Sequence, residues 1–331
     1  MAPAVAKAAI DSGVAKSPIK DWKKYEHQLM ERLGLDNKFV RNLTAKAKRN
    51  PKKVVFAEAD TYKVLKAAEM ALEEGIAEPI LLGREIKINK IIQEYNLDLP
   101  NCTIIDPRSD ETIDQRERFA KILHEKRKRR GLTFYEAKKM MRERNYYASA
   151  MVETGMADVM ISGITRSYKE TIRPALQVIG AEEGINKIAG MYILISKDGP
   201  IFFADTTINI NPTIEEIVDI TLLVARTVKE YKIKPRIAML SYSNFGSNEG
   251  EDAVKMREAV TYLHKQYPDL VVDGEVQANF AVNKELVSDF FPFSMLADGR
   301  ANTLIFPNLS SGNIAYKLVK AVSYTHLRAH E

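Results

Sequence analysis

The sequence predicts an α/β fold with mainly parallel sheets, and three observations carry that prediction. Short apolar runs alternate with stretches whose apolar residues recur at helical spacing, from about Lys52 to Lys320. The helical stretches are long enough for right-handed crossovers, which lay successive strands side by side and parallel. The length, 331 residues, suits one or two substantial cores, so two α/β domains are expected.

Ahead of this pattern, residues 1–35 read as the end of something else. Residues 4–10 are alanine-rich and helix-prone, Gly13 and Pro18 break them, and residues 21–33 make a charged helix with Trp22, Tyr25, Leu29 and Leu33 on one side. With no strand of its own to pack on, the segment is expected to be a connector carrying the tail of a preceding domain.

The alternating part then runs in order. A strand at 54–57 leads to a helix at 63–74 that stops at Gly75; a strand at 79–82 ends at Gly83; a helix at 86–94 and a strand at 103–105 follow. The first strand-to-helix turn, residues 58–62, lacks the glycines of a dinucleotide or P-loop site. Two long helices, 114–129 and 134–144, come next. The strand at 157–163 ends in Ser162-Gly163 and feeds a helix with a Ser167/Glu170 capping box. Proline is tolerated near a helix start or at a kink, so Pro174 places the proper start of that helix close to Ile172.

Strands at 191–195 and 200–204 precede a second capping box, Thr213 with Glu216, which opens a helix to about Tyr231. A strand at 236–240 empties into the polar loop 241–250, and a helix covers 251–264. A strand at 270–272 ends at Asp273-Gly-Glu-Val-Gln277. The last strand is 304–306, and the helix after it shows Ile314, Leu318 and Val319 at helical spacing. Residues 323–331 do not continue that stripe and hold two of the five histidines, so a non-native tail is expected there.

Composition narrows the function. Hydrophobic residues make up 45% and charged residues 28%, as in soluble globular proteins, and no apolar run has the length of a membrane span or a secretory signal. A lone cysteine, Cys102, excludes an internal disulfide framework and fits a reducing cytoplasm. His27, His124 and His264 are too scattered to suggest a metal, and none is expected. The net charge of +5 is mild, but residues 126–130 are five cations in a row. They read as a solvated helix face or as a contact for an acidic group; without interleaved aromatics, nucleic acid is not expected.

Three strand ends carry polar loops: Ser162-Gly163 with Thr171 and Arg173; Tyr242 to Gly250, with Ser243 and Ser247; and Asn308 to Asn313, with Ser310 and Gly312. Backbone N–H groups, short hydroxyls and the positive end of a helix suit an anion. If the three loops meet, they make a pocket for a phosphoryl or acyl phosphate group, with donors and few clustered carboxylates. Arg173 can grip phosphate with two N–H groups and Arg127 can assist. The competing readings are an ordinary strand–loop–helix corner at 308–313 and surface ion pairs for both arginines.

Five stretches in order, 162–179, 203–213, 238–243, 273–277 and 306–317, resemble the motif series of the phosphate acetyl/butyryl transferases. The resemblance implies two three-layer α/β/α domains, the second inserted in the first, with the last strand and helix returning to the first. It divides the chain into 36–150 plus 295–322 and 151–294. It also implies a cleft for CoA (or acetyl-CoA) and acetyl phosphate, a dimer, and phosphate or acyl-phosphate contacts at Arg173, Arg127 and Ser310. Residues 4–19 resemble the last segment of the first part of bacterial NADP-dependent malic enzymes that carry a transacetylase-like domain, and Asn244 to Ser247 and Asp298 also look like that branch. The malic-enzyme domain of the same polypeptide is then a partner, with acetyl-CoA sensing and oligomerisation as the domain's tasks. Some transacetylases have an arginine directly after the serine and an aspartate shortly beyond; here Ser311 and Tyr316 stand there. Glu275 and Asp298 are the candidate substitutes for the missing base.

Overall fold

The computed structural model describes residues 2–15, 17–19, 21, 22, 25, 38–196 and 198–328, with only the backbone described for 2–4 and 323–328. Most of the charged helix expected at 21–33 lies outside these residues. The chain divides into two units, Val40–Glu182 and the remainder. α1 (Ala2–Asp11) forms where alanine predicted it, and α2 (Lys38–Arg49) spans the boundary.

In the first unit, β1 (Lys52–Phe56), β2 (Ala77–Leu82), β3 (Thr103–Ile105) and β4 (Val159–Ile161) make a wholly parallel sheet of order β3-β2-β1-β4. Both faces are covered because successive side chains point opposite ways. Val54 and Phe56 pack with Leu65 and Ala68 of α3 (Tyr62–Glu73) and Ile88 of α4 (Glu85–Glu94). Val55 and Ala57 pack with Phe119 and Leu123 of α5 (Ile113–Arg127), Ala137 of α6 (Phe134–Met140), Tyr147 and Met151 of α7 (Arg144–Glu153), and Val178 of α8 (Tyr168–Val178). The result is three layers.

α8 begins at Tyr168, not near Ile172. Ser167 caps it as the box predicts, and Pro174 sits inside the helix. The proline withholds the N–H that would reach the Glu170 carbonyl. Buried Asn145 supplies a donor instead, its Nδ2 lying 3.4 Å from that oxygen.

The second unit holds β5 (Met191–Ser196), β6 (Gly199–Ala204), β7 (Ile237–Leu240), β8 (Val272–Val276) and β9 (Thr303–Ile305) in the order β5-β6-β9-β7-β8. Only β5 runs antiparallel to its neighbour. Phe202, Ile237, Met239, Val272 and Ile305 face α9 (Ile214–Glu230) and α10 (Glu251–Gln266). Phe203, Ala238, Leu240, Leu304 and Phe306 face α11 (Ala278–Ala281), α12 (Lys284–Phe290) and part of α13 (Leu309–Arg328).

Two expectations about domains are corrected here. β9 does not return to the first sheet: it hydrogen-bonds both β6 and β7, where Leu304 and Ile305 enter cores on opposite faces. Residues 151–182 stay with the first unit, because β4 pairs with β1 and α8 packs on α7. α13 runs to Arg328, through part of the stretch expected to be a tail. Among the described residues, no helix is long and apolar enough to cross a membrane.

Candidate functional site

In the first unit the polar loop after β4 is held by a carboxylate from the turn that follows β1. Glu58, 2% exposed, accepts from the backbone N–H of Ile164 (2.7 Å) and Thr165 (3.0 Å) through Oε2, while its Oε1 is buried without a partner. Ser162 donates to Asn145 Oδ1 at 2.8 Å, and the Thr171 hydroxyl bonds back to the Ser167 carbonyl. Gly163 has φ +114°, backbone that a side chain would strain. These residues shape the loop.

The charges of both predicted arginines act on Tyr146. Burial pushes the Tyr146 phenol up; the charge of Arg173 pulls against that, Glu143 opposes it, and Arg127 adds to the pull. Arg127 is half-buried at the end of α5 and Arg173 is exposed on α8. Neither guanidinium has a carboxylate partner among the described residues, whereas Lys126 beside them pairs with Glu153 and caps α8 at the Val178 carbonyl, 2.6 Å away. Guanidiniums without carboxylates are ready for a phosphate.

In the second unit, the loops after β6, β7 and β9 rise from adjacent strands at their carboxyl ends, where open α/β sheets take ligands. A cavity of about 530 Å³ opens there, lined by Ile210, Asn211, Tyr242, Glu251, Asp252, Asn308 and Ser310. Asn308 caps α13, its Oδ1 accepting from the Ser311 N–H at 3.0 Å. Ser310 is exposed, and its hydroxyl makes no hydrogen bond within the described residues.

Other predicted contacts are occupied. Ser243 is 1% exposed and donates to Glu275 Oε1 at 2.8 Å, and Ser247 caps Asn244 N–H at 3.0 Å. Asn313 donates to the Thr206 carbonyl, and Gly312 is buried against Asp205: a Cβ would fall 2.4 Å from that residue's carbonyl oxygen. Asp205 in turn shapes the loop after β6, accepting from the N–H groups of Gly190, Thr207, Ile208 and Asn209.

Neither expected substitute base is placed for that task. Glu275 is fully buried and accepts from Ser243 and the Gly246 N–H (2.8 Å), so it anchors the loop after β7. Asp298 lies ahead of β9, at the opposite end of the sheet from the cavity. Tyr316, at the place of the family's aspartate, stacks on Tyr192 with ring centroids 3.6 Å apart. The sequence reading missed Asn145, Asp252 and Lys255, which act through hydrogen bonds that no spacing reveals. Among the described residues, no three His, Cys, Asp or Glu side chains cluster as a metal site would require.

The fold is thus a two-unit α/β protein with polar loops suited to anions at its strand ends. The chain belongs to the phosphate acetyl/butaryl transferase family, whose model matches residues 38–327. It is 34% identical over 324 residues to the NADP-dependent malic enzyme of Haemophilus influenzae, covering 98% of this chain but 43% of that protein, so it spans less than half of that relative's length. It is 37% identical to the phosphate acetyltransferase of Clostridium acetobutylicum over 281 residues, 83% of each chain. A phosphotransacetylase structure from Staphylococcus aureus superposes with a TM-score of 0.76 at 30% identity, over 86% of both chains.

Proposed function

We propose that this chain is the phosphotransacetylase-like C-terminal part of an NADP-dependent malic enzyme in the cytoplasm. In this reading it binds acetyl-CoA or acetyl phosphate, regulates the malic-enzyme domain of the same polypeptide, and helps to hold the enzyme as a dimer or higher oligomer. The observation that carries the reading is the reach of the likeness: the match to a malic enzyme takes in 98% of the chain, including sequence ahead of residue 38, where the transferase family match begins. In the first unit Arg127 and Arg173 then supply guanidiniums for a phosphate group, and in the second unit Ser310 with the first turn of α13 offers a hydroxyl and N–H donors to an anion.

A second reading is an active phosphate acetyltransferase, favoured by the 83% coverage of the Clostridium acetobutylicum enzyme. There the CoA sulfur attacks the acetyl carbonyl, a C–S bond forms, and the C–O bond to phosphate breaks. The thiol proton needs an acceptor, and Tyr316 puts a stacked ring at the place of the carboxylate that some transacetylases use. Loss of such a base costs about 10²- to 10⁴-fold in rate, which favours binding over turnover.

Calorimetry with acetyl-CoA and an assay of acetyl-CoA formation from acetyl phosphate and CoA test both readings on the same chain. The regulatory reading expects binding that Arg173→Ala and Arg127→Ala weaken by about tenfold each, with turnover far below ordinary enzyme rates. Turnover at ordinary rates replaces it with the second reading. Absence of binding, with self-association kept, leaves a dimerisation module.

A further inference from the structure

Two loops and the start of a helix in the second unit are tied by one chain of polar contacts that neither reading uses. Asn211, after β6, accepts from Lys255 Nζ at 2.9 Å through Oδ1. Lys255 also pairs with Asp252 Oδ1 at 2.8 Å, and its side chain is only 11% exposed. Asp252 Oδ2 accepts from Asn308 Nδ2 at 2.9 Å. The other end of that amide accepts from the Ser311 N–H, and the Ser311 hydroxyl returns to the Asn308 carbonyl at 2.8 Å. The chain therefore links the loop after β6, the first turns of α10, which follows β7, and the loop after β9.

The chemistry of the groups gives this chain a direction. A side-chain amide can cap a helix only with its oxygen turned toward the N–H, and nothing in asparagine itself prefers that end. An ionised carboxylate accepts and never donates, so Asp252 takes the amide's NH₂ end and leaves the oxygen for α13. Lys255, held by Asn211, fixes the carboxylate in turn. We propose that Asp252 is a positioning residue: through Asn308 it sets the first turn of α13 and with it the direction of Ser310, the next residue but one, which lines the same cavity. The proposal rests on the reading above for what Ser310 does. Its leverage comes from geometry, because a misplacement of about 1 Å at a reacting group costs about 100-fold in rate.

The test is an exchange of the two groups. Asp252→Asn removes one acceptor, so either Lys255 or Asn308 faces a second donor. Asn308→Asp sets two carboxylates against each other where a hydrogen bond of 2.9 Å now stands. The double variant restores one amide and one carboxylate across that contact, with the cap still made by an oxygen. In the acetyl phosphate and CoA assay each single variant is expected to lower kcat at least about tenfold with KM for acetyl phosphate changed less than about threefold, and the double variant to recover to within about threefold of wild type. Hydrogen exchange at the Ser311 amide supplies a readout apart from activity: faster in each single variant, slow again in the double. A double variant no better than the worse single, or a Ser311 amide indifferent to Asp252, overturns the proposal. If the unaltered chain neither turns over nor binds acetyl-CoA, the functional reading falls; in that case, and where it binds without measurable turnover, the exchange measurement decides whether Asp252 orients the cap.

Discussion

The side-chain amide of Asn145 donates to the main-chain carbonyl of Glu170, the acceptor that Pro174, four residues on, cannot satisfy. The same amide takes the Ser162 hydroxyl on its oxygen, so one buried side chain fixes both the exit of β4 and an interrupted turn of α8. Asn145→Ala is expected to destabilise the protein by about 2 kcal/mol, since it removes a buried amide that serves both the Glu170 carbonyl and the Ser162 hydroxyl. Pro174→Ala returns the missing N–H, and in that background the Asn145 substitution should cost about 1 kcal/mol less. Denaturant melts of the four proteins in a double-mutant cycle measure the difference.

Gly312 tests whether close approach outweighs helix propensity. Alanine in place of glycine within a helix gains about 1 kcal/mol, but here the new methyl meets the Asp205 carbonyl oxygen at 2.4 Å and the Phe306 ring at 3.3 Å. Backbone cannot yield as a flexible side chain can. Gly312→Ala is expected to lower stability by about 1–3 kcal/mol net, read from thermal unfolding, and to weaken acetyl-CoA binding by moving the start of α13.

Asp60 gives a pH dependence. Burial pushes its carboxyl up, but hydrogen bonds and charge from Arg144 and then Lys87 outweigh that and hold it below its ordinary value of 3.8. The folded carboxyl binds its proton less readily than the unfolded one, so its contribution is fully present above the ordinary value and is lost as pH falls through the folded pKa. Asp60→Asn should therefore lower Tm near neutrality, and its deficit against wild type should shrink steadily below about pH 4. A deficit that stays constant down to pH 2 would contradict the pairing.

Glu275 separates an acceptor from a charge. Its Oε1 holds Ser243 and the Gly246 N–H, while Oε2 is buried without a partner. Glu275→Gln keeps an acceptor and discards the buried charge, so stability should stay within about 1 kcal/mol of wild type. Glu275→Ala releases the loop and is expected to cost about 2–3 kcal/mol. Urea unfolding of both variants checks the contrast.

What the sequence disclosed follows from the physics of each element. β1 to β3 were legible as short apolar runs bounded by turn residues, and the helices between them by an apolar stripe. α7 was not, because Asn145 to Met151 are all buried and a helix covered on every side shows no stripe. β8 was placed too early: Asp273, Gly274 and Glu275 look like a turn, yet they lie in the strand, with both carboxylates paired inside. Arg127 and Arg173 were named from the family resemblance, and in the structure the charges of both act on the Tyr146 phenol. The partner of β9 could not be read, because Leu304, Ile305 and Phe306 are apolar on both faces and suit any central position.

That last strand has a consequence for biosynthesis. β9 is the middle of its sheet, yet among that sheet's described strands it is the last in chain order, about a hundred residues after the β6 segment it joins at Phe202–Thr303. Until it arrives, β6 and β7 each expose an unpaired edge of the kind that recruits other chains. A nascent chain halted before Thr303 would thus present two sticky borders at once, which closure by β9 removes.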